Sequence, residues 1–303
     1  MKKRLAILLA AIVVAGGTFF VAGRVDRRPP TLDKPVEVVK TVPVKVKKSV
    51  PAPKPQSNLR IKGLGIWIYD LGKAEGGDPN RIAQKAKAHG IDYLIVNSHR
   101  GGKWFNHNPR GQVEKLIDVC RKAGIRIYLY QRCFGKNAKA EAEAAQEGLG
   151  MSDGYVLDME VEFQSERGRL AAEKTLRQLH AWRDKSCPKK VIAVSTFAFR
   201  NLHAPMPWQA FDRYADVLMP QCYWVSFGTT VEAAIGRTVK EWNKSPCQIV
   251  LTAQAYGHRR GLKYVAPSEL KKFIKLVGPS KSLNVFRWEL MDEEHWQVLR
   301  KGG

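Results

Sequence analysis

The chain has 303 residues, 44% of them hydrophobic and 9% aromatic, which is enough apolar material for a packed core and excludes wholesale disorder. Its 51 Lys and Arg outweigh 28 Asp and Glu by 23 charges, so a polyanionic partner or surface has to be considered from the outset. Five cysteines are too few for a disulfide scaffold, and no zinc-finger spacing of Cys and His occurs.

The charge is unevenly spread. Residues 1–60 carry 13 basic and 3 acidic side chains, a net of +10, which leaves +13 for residues 61–303. Lys2, Lys3 and Arg4 precede an uncharged run from Leu5 to Gly23, which Arg24, Arg27 and Arg28 follow. At the helical rise this run reaches about 28 Å, roughly the hydrocarbon thickness of a bilayer, so residues 1–23 are expected to meet a membrane. Val21-Ala22-Gly23 is a fair imitation of a cleavage site, and both a signal anchor and a cleaved signal peptide fit. The first predicts a single-pass inner-membrane protein with its C-terminal domain in the periplasm or outside the cell, and the second a secreted one. Residues 24–60 form a Pro/Val/Lys-rich linker. Seven of the sixteen prolines lie between Pro29 and Pro55, and fixed φ with like charges predicts an extended, semi-rigid spacer. Its lysines keep it solvated or draw it to anionic lipid or wall.

Residues 61–303 have the texture of an α/β domain. Short apolar, β-branched and aromatic runs recur at Gly63–Tyr69, Ile91–Asn97, Ile125–Gln131, Gly154–Glu160, Val191–Thr196, Val217–Tyr223, Ile249–Gln254 and Leu283–Trp288. Helical periodicity fills Pro79–His89, Gly111–Ala123, Ala138–Leu149, Ser165–Asp184, Val231–Asn243 and Ser268–Val277. Eight strands alternating with helices over about 250 residues predict a (β/α)8 barrel of the TIM type. The rival, a doubly wound open sheet, lacks a Gly-x-Gly-x-x-Gly after the first strand. No Walker loop, His-Glu-x-x-His or Gly-x-Ser-x-Gly is present.

In such a barrel the active residues sit at the C-terminal ends of the strands. Those ends carry Tyr69 and Asp70; Asn97, Ser98, His99 and Arg100; Gln131 and Arg132; Asp158, Glu160 and Glu162; Ser195 and Thr196; Gln221, Tyr223 and Trp224; Gln254 and Tyr256; and Trp288, Glu289 and Asp292. Carboxylates, amides and aromatics in this density suit a sugar, with hydroxyls to hydrogen-bond and apolar ring faces to stack. From this rim Asp70, Asn97, Gln131, Gln221, Tyr223, Trp224, Gln254, Trp288 and Glu289 are the expected substrate-binding residues. The sharpest feature is Asp153-Gly-Tyr-Val-Leu-Asp-Met-Glu160. On a strand Asp158 and Glu160 point to the same side, about 7 Å apart, so one can hold a proton near neutrality while the other stays ionised. Glycoside cleavage needs that division: an acid for the leaving oxygen, and a carboxylate to support the cationic sugar transition state or its acetamido neighbour.

Leu157-Asp-Met-Glu-Val resembles the Asp-x-Glu strand of lysozyme-type muramidases, glycoside hydrolase family 25. The spacing from Asp153-Gly to Asp158-x-Glu160 resembles the chitinase-type family 18 motif. Met219-Pro-Gln-Cys-Tyr-Trp224 and Phe286-Arg-Trp-Glu289 are similar to the sixth and eighth barrel strands of these glycosidases. The resemblance implies hydrolysis of a polymer containing N-acetylated sugars, with Glu160 as general acid, Asp158 as its partner, Tyr223 contacting the acetamido group and Trp288 beneath a sugar. Neither pattern is complete. The muramidase first strand carries an Asp directly after Gly-Ile, where this chain has Gly65-Ile66-Trp67 and reaches an acid only at Asp70; the chitinase motif has a further Asp where this chain has Val156.

Several residues have plainer readings. Asp158 and Glu160 could pair with Arg132 or Arg100 in a structural network, and Tyr223 and Trp288 could fill the barrel. His99 and His107 lack ligand spacing, so neither a metal nor any other cofactor is expected. Cys133 and Cys222 lie at strand ends, where one rim disulfide is conceivable, with an odd cysteine left over. The basic residues form no aromatic-interleaved stripe, which argues against nucleic acid as the partner. The expectation is an exported, membrane-tethered glycosidase acting on a polysaccharide, peptidoglycan or a chitin-like glycan. A bacterium remodelling its wall and a phage with an anchored endolysin both fit. The alternative is a silent barrel that binds cell-wall glycan.

Overall fold

A computed structural model describes residues 59–258, 261–278 and 281–300. The segment expected to meet a membrane, and the linker up to residue 58, lie outside these residues. Among the described residues no helix is long and apolar enough to cross a membrane.

The described residues form ten strands: β1 Leu64–Ile68, β2 Tyr93–Arg100, β3 Lys103–Trp104, β4 Arg126–Arg132, β5 Gly154–Asp158, β6 Val191–Phe197, β7 Val217–Gln221, β8 Gln248–Ile249, β9 Leu251–Gln254 and β10 Leu283–Phe286. Hydrogen bonding runs in the order β1, β10, β9, β7, β6, β5, β4, β2 and closes through β2 onto β1, every pair parallel. This is the eight-stranded closed barrel expected from the sequence. β8 leads into β9 along β7, and β3 turns back antiparallel on the end of β2. The helices are α1 Pro79–Ala88, α2 Arg110–Lys122, α3 Ala138–Met151, α4 Glu166–Ser186, α5 Trp208–Tyr214, α6 Trp224–Phe227, α7 Val231–Trp242, α8 Pro267–Val277 and α9 Glu293–Leu299. Asp78, Asn137, Ser165 and Thr230 cap α1, α3, α4 and α7 by accepting from amides in the first turn.

Two apolar layers result from strand alternation. Outward residues such as Ile66, Leu94, Leu129, Leu157, Val194 and Leu218 pack under the helices. Inward residues, among them Trp67, Tyr93, Ile95, Tyr128, Tyr130, Val156, Ala193, Val217 and Met219, fill the barrel. Volume is balanced around its circumference. Large rings project from β1, β2 and β4, while β5 to β7 contribute mainly Val and Ala. Gly65 and Gly154 vacate the space the rings occupy: a Cβ at Gly65 would lie 2.0 Å from the Tyr93 ring, and one at Gly154 2.7 Å from the Tyr128 ring.

The N-terminal end of the barrel is closed by side chains that have their partners. Fully buried Ile61 plugs it, its N–H donating to Gln248 Oε1 at 2.8 Å and its carbonyl accepting from Gln248 Nε2 at 2.7 Å and Ser282 Oγ at 2.6 Å. Three aspartates preceding alternate strands brace their neighbours. Asp92 accepts from Leu64 N, Asp153 from Ile127 N and Asp216 from Ile192 N, each at 2.8 Å. Asp216 also holds buried Arg183 of α4 at 2.8 Å. Asp153, the first acid of the chitinase-like spacing, therefore belongs to this closed end. All five cysteines are free thiols, so Cys133 and Cys222 form no rim disulfide.

Candidate active site

β5 carries the centre of the site. Its ladder continues one residue past the strand, Met159 N donating to Ser195 O at 3.0 Å, so Met159 stays in the outer core and Glu160 returns to the side of Asp158. The chain then turns into a short 3-10 segment at Val161–Gln164, which brings Glu162 alongside.

Two side chains from neighbouring strands gather the three carboxylates. Gln221, at the end of β7, donates from Nε2 to Asp158 Oδ1 at 3.1 Å, to Glu160 Oε1 at 3.0 Å and to Ser195 Oγ at 3.3 Å. Arg132, at the end of β4, places Nε 3.8 Å from Asp158 Oδ2 and one terminal nitrogen 3.2 Å from Glu160 Oε2 and 2.8 Å from Glu162 Oε2. Arg100 is not part of this network; it reaches the Tyr69 hydroxyl at 3.5 Å.

Three carboxylates facing one guanidinium cannot all be comfortably ionised. Burial and the charge of Glu160 hold the Asp158 carboxyl well above the usual range; Arg132 opposes this, while Glu162 and a hydrogen bond to Glu160 reinforce it. Burial works against the Arg132 cation, but Asp158, Glu160 and Glu162 more than offset it and hold the guanidinium charged. Burial and the neighbouring carboxylates therefore favour the protonated form of Asp158.

Aromatic side chains line the wall beside this pair. Phe286 of β10 lies 5.9 Å from both Trp67 and Tyr223 and 6.4 Å from Tyr256, ring centre to ring centre. Tyr130 of β4 stands edge-on to Trp67 at 4.8 Å. Burial holds the Tyr223 phenol well above its usual range, with Tyr256, Asp158 and Glu160 adding to the shift, so it is a neutral hydroxyl.

Of the expected substrate-binding residues, Gln221 and Tyr223 meet Asp158 and Glu160 at the mouth. Strand phase turns Asn97 and Gln254 inward, Asn97 in step with Ile95 and Gln254 opposite to outward Ala253. Both are buried, and Asn97 Oδ1 and Gln254 Nε2 have no hydrogen-bond partner among the described residues. The other five are placed elsewhere. Gln131 alternates outward, donating to Glu141 O of α3 at 2.6 Å and accepting from Gly102 N at 3.2 Å. Trp224 starts α6 and is fully buried in the outer core, stacked on Phe273 at 5.3 Å. Trp288 does not underlie the mouth, because strand β10 ends at Phe286 and a 3-10 turn at Trp288–Leu290 carries the indole outward. It rests 4.5 Å from Trp296 and donates to Glu75 at 3.3 Å. Asp70 turns aside to Lys73 at 3.2 Å and His107 at 3.5 Å. Glu289 clamps the loop after β1, accepting from Tyr69 N and Asp70 N at 2.6 Å each.

Phe286, Tyr130 and Ser195 were not singled out as binding residues from the sequence. The alternation that put Asp158 inside also puts Asn284 and Phe286 inside, and this phase was the available signal. His99 points outward into the core, where its Nδ1 meets Ser98 Oγ at 2.9 Å and the Tyr155 hydroxyl at 3.1 Å. Among the described residues no cluster of His, Cys, Asp and Glu is arranged to hold a metal ion.

No protein-family model matches the chain, and no curated protein matches it in sequence. Solved structures do match in fold. A glycoside hydrolase family 18 chitinase from Pseudoalteromonas aurantia superposes with a TM-score of 0.56 at 12% identity, over 78% of this chain and 97% of the other. A family 18 chitinase from the chitin utilization locus of Flavobacterium johnsoniae gives 0.53 at 10% identity, over 78% and 92%. The spore cortex-lytic enzyme of Bacillus cereus gives 0.57 at 10% identity, over 78% and 73%. The barrel described here thus has the fold of the chitinase-type glycosidases, including the family 18 proteins that the Asp158-x-Glu160 spacing resembles.

Proposed function

We propose that this chain is a glycoside hydrolase of N-acetylated aminosugar polymers, with peptidoglycan or a chitin-like glycan as substrate. The observation that carries the reading is the Asp158–Glu160 pair at the open end of the barrel, both carboxyls held by Gln221 Nε2 beside an aromatic wall, with burial favouring a proton on Asp158. Glu160 is the general acid: its carboxyl protonates the glycosidic oxygen as the bond to the anomeric carbon breaks. Asp158 supplies its proton and, once ionised, supports the positive charge on the sugar or the acetamido group that moves toward the anomeric carbon. Water then completes hydrolysis. The neutral Tyr223 hydroxyl lies where it can steady the acetamido oxygen, and Phe286 replaces Trp288 as the surface on which a sugar face stacks.

The apolar Leu5–Gly23 run and the proline-rich spacer support an exported protein tethered to a membrane, its domain in the periplasm or outside the cell. Muramidase-type cleavage, bacterial or phage, is the bond specificity that setting favours. The test is the turbidity of a peptidoglycan suspension and the release of reducing ends by the full chain in detergent. Both should appear with the wild type and be lost in Glu160→Gln; equal activity in the two proteins would overturn the assignment. A second reading, a silent barrel that holds glycan, draws on the engagement of all three carboxylates by Arg132 and on Val156 at a position where the chitinase motif has an acid. Retention of the wild type on glycan without any reducing-end release would favour it.

A further inference from the structure

We propose that Arg287, with Arg100 beside it, reads a carboxylate on the substrate, so that the preferred polymer is an anionic aminosugar glycan rather than a neutral one. The inference rests on the glycosidase reading above and names its substrate class. Arg287 follows Phe286 at the end of β10. Its guanidinium lies 5.6 Å from the Phe286 ring centre and 4.6 Å over the Tyr69 ring. Arg100 donates to the hydroxyl of the same Tyr69 at 3.5 Å, so two guanidinium groups flank one phenol on the rim.

These arginines differ from Arg132. Arg132 already faces three carboxylates, whereas Arg287 has a single acidic neighbour, Glu289, whose Oε2 is 3.3 Å from Nε without hydrogen-bond geometry. The other Glu289 oxygen is committed to the amides of Tyr69 and Asp70. The guanidinium edge is thus left to a ligand, and a planar fork beside a stacking ring suits a carboxylate carried by the stacked sugar. Arg287 also lies within range of the chemistry. Burial raises the Tyr130 phenol, the charge of Asp158 adds to the shift and the charge of Arg287 opposes it, so both side chains are near the same ring. A sugar on Phe286 with its glycosidic oxygen at Glu160 would present its substituents to this rim.

The carboxylate could be the lactyl group of a muramyl sugar or a uronate. Hydrolysis by the full chain is measured on peptide-free peptidoglycan strands, on the same strands after carboxyl reduction, on a uronate-containing aminosugar oligosaccharide and on neutral chitin oligosaccharides. Wild-type kcat/KM should exceed that on the reduced and neutral substrates by roughly 10- to 100-fold for whichever acid is native, mostly through KM, and the margin should shrink with salt. Arg287→Gln should narrow that ratio, and Arg287→Lys should restore part of it. The wild-type comparison needs no variant to fold. Equal kcat/KM on carboxylated and reduced strands and on the uronate and neutral oligosaccharides would overturn the inference while leaving the glycosidase reading intact; hydrolysis of none of the four would overturn both.

Discussion

The two ends of the barrel use the same residue type for opposite purposes. At the closed end Asp92, Asp153 and Asp216 each accept a backbone amide of the neighbouring strand, and Asp216 faces Arg183 as well. At the open end Asp158, Glu160 and Glu162 crowd around one guanidinium and one amide, with more negative charge than those partners neutralise. Asp153 immediately precedes β5 and Asp158 ends it, and the first is a fastening while burial and neighbouring carboxylates favour a proton on the second. Each carboxylate of the closed end has a backbone amide for a partner, whereas Asp158 faces other carboxylates in a buried mouth and gains by staying neutral. Basic residues follow the same division. A concavity of about 610 Å³ at the closed end is lined by Arg60, Lys62, Arg126, Lys189 and Lys190 with Asp153 the one acid, so part of the domain's positive surplus lies away from the carboxylate triad.

This contrast can be broken by experiment. The largest effect is expected from Glu160→Gln, which should cost about 10²- to 10⁴-fold in kcat with little change in melting temperature. An equally large fall in stability would make the residue a fastening as well. Next comes Asp216→Ala, which takes the buried carboxylate from Arg183 and leaves it Asp184 and the Lys190 carbonyl; it should cost about 3 kcal/mol in denaturant unfolding, with turnover per folded molecule unchanged. Arg132→Gln should alter the pH profile. Because Arg132 opposes the raised pKa of Asp158, its removal raises that pKa further, and the alkaline limb of the activity profile should move toward alkali; a limb displaced toward acid would contradict a role for protonated Asp158. Asp158→Asn should melt above the wild type at neutral pH. The folded-state pKa of Asp158 is raised, so the wild type loses stability as pH rises from the unfolded-state value through the folded one, and the advantage of the variant should fade toward acid. The smallest effect belongs to Asp153→Asn, which keeps an oxygen acceptor for Ile127 N and should cost about 1 kcal/mol or less with activity retained. Abolished activity there would place Asp153 in the chemistry after all.

The barrel was legible because its strands are buried on both faces and appear in the sequence as compact apolar runs at even spacing, and every predicted run overlaps a barrel strand, with β2, β4 and β6 running one to three residues further. Helices α5 and α9 were not anticipated; at seven residues each they span too few turns for periodicity to show. The carboxylate pair was legible because residues two apart on a strand share a side, and that phase survives the end of β5. Trp288 was misplaced by carrying the same rule past Phe286, where strand β10 has ended and a 3-10 turn begins at Trp288. Gln131 and Trp224 stand at strand ends, as the binding residues do, but alternation turns Gln131 outward and α6 carries Trp224 into the outer core. Arg132 was named in the sequence as a potential partner of the acids, yet its simultaneous contact with three of them depends on the turn at Val161–Gln164, a tertiary feature with no short-range signature.

The clasp on Ile61 gives the domain a mechanical polarity. The chain enters the barrel at its closed end, and the first residue fixed there is gripped by Gln248 and Ser282 from the strand ends opposite the mouth. A force applied to the backbone at Ile61 is received by that clasp and by the strand bases, at the end of the barrel opposite the turn that sets Glu160 and Glu162 around Arg132.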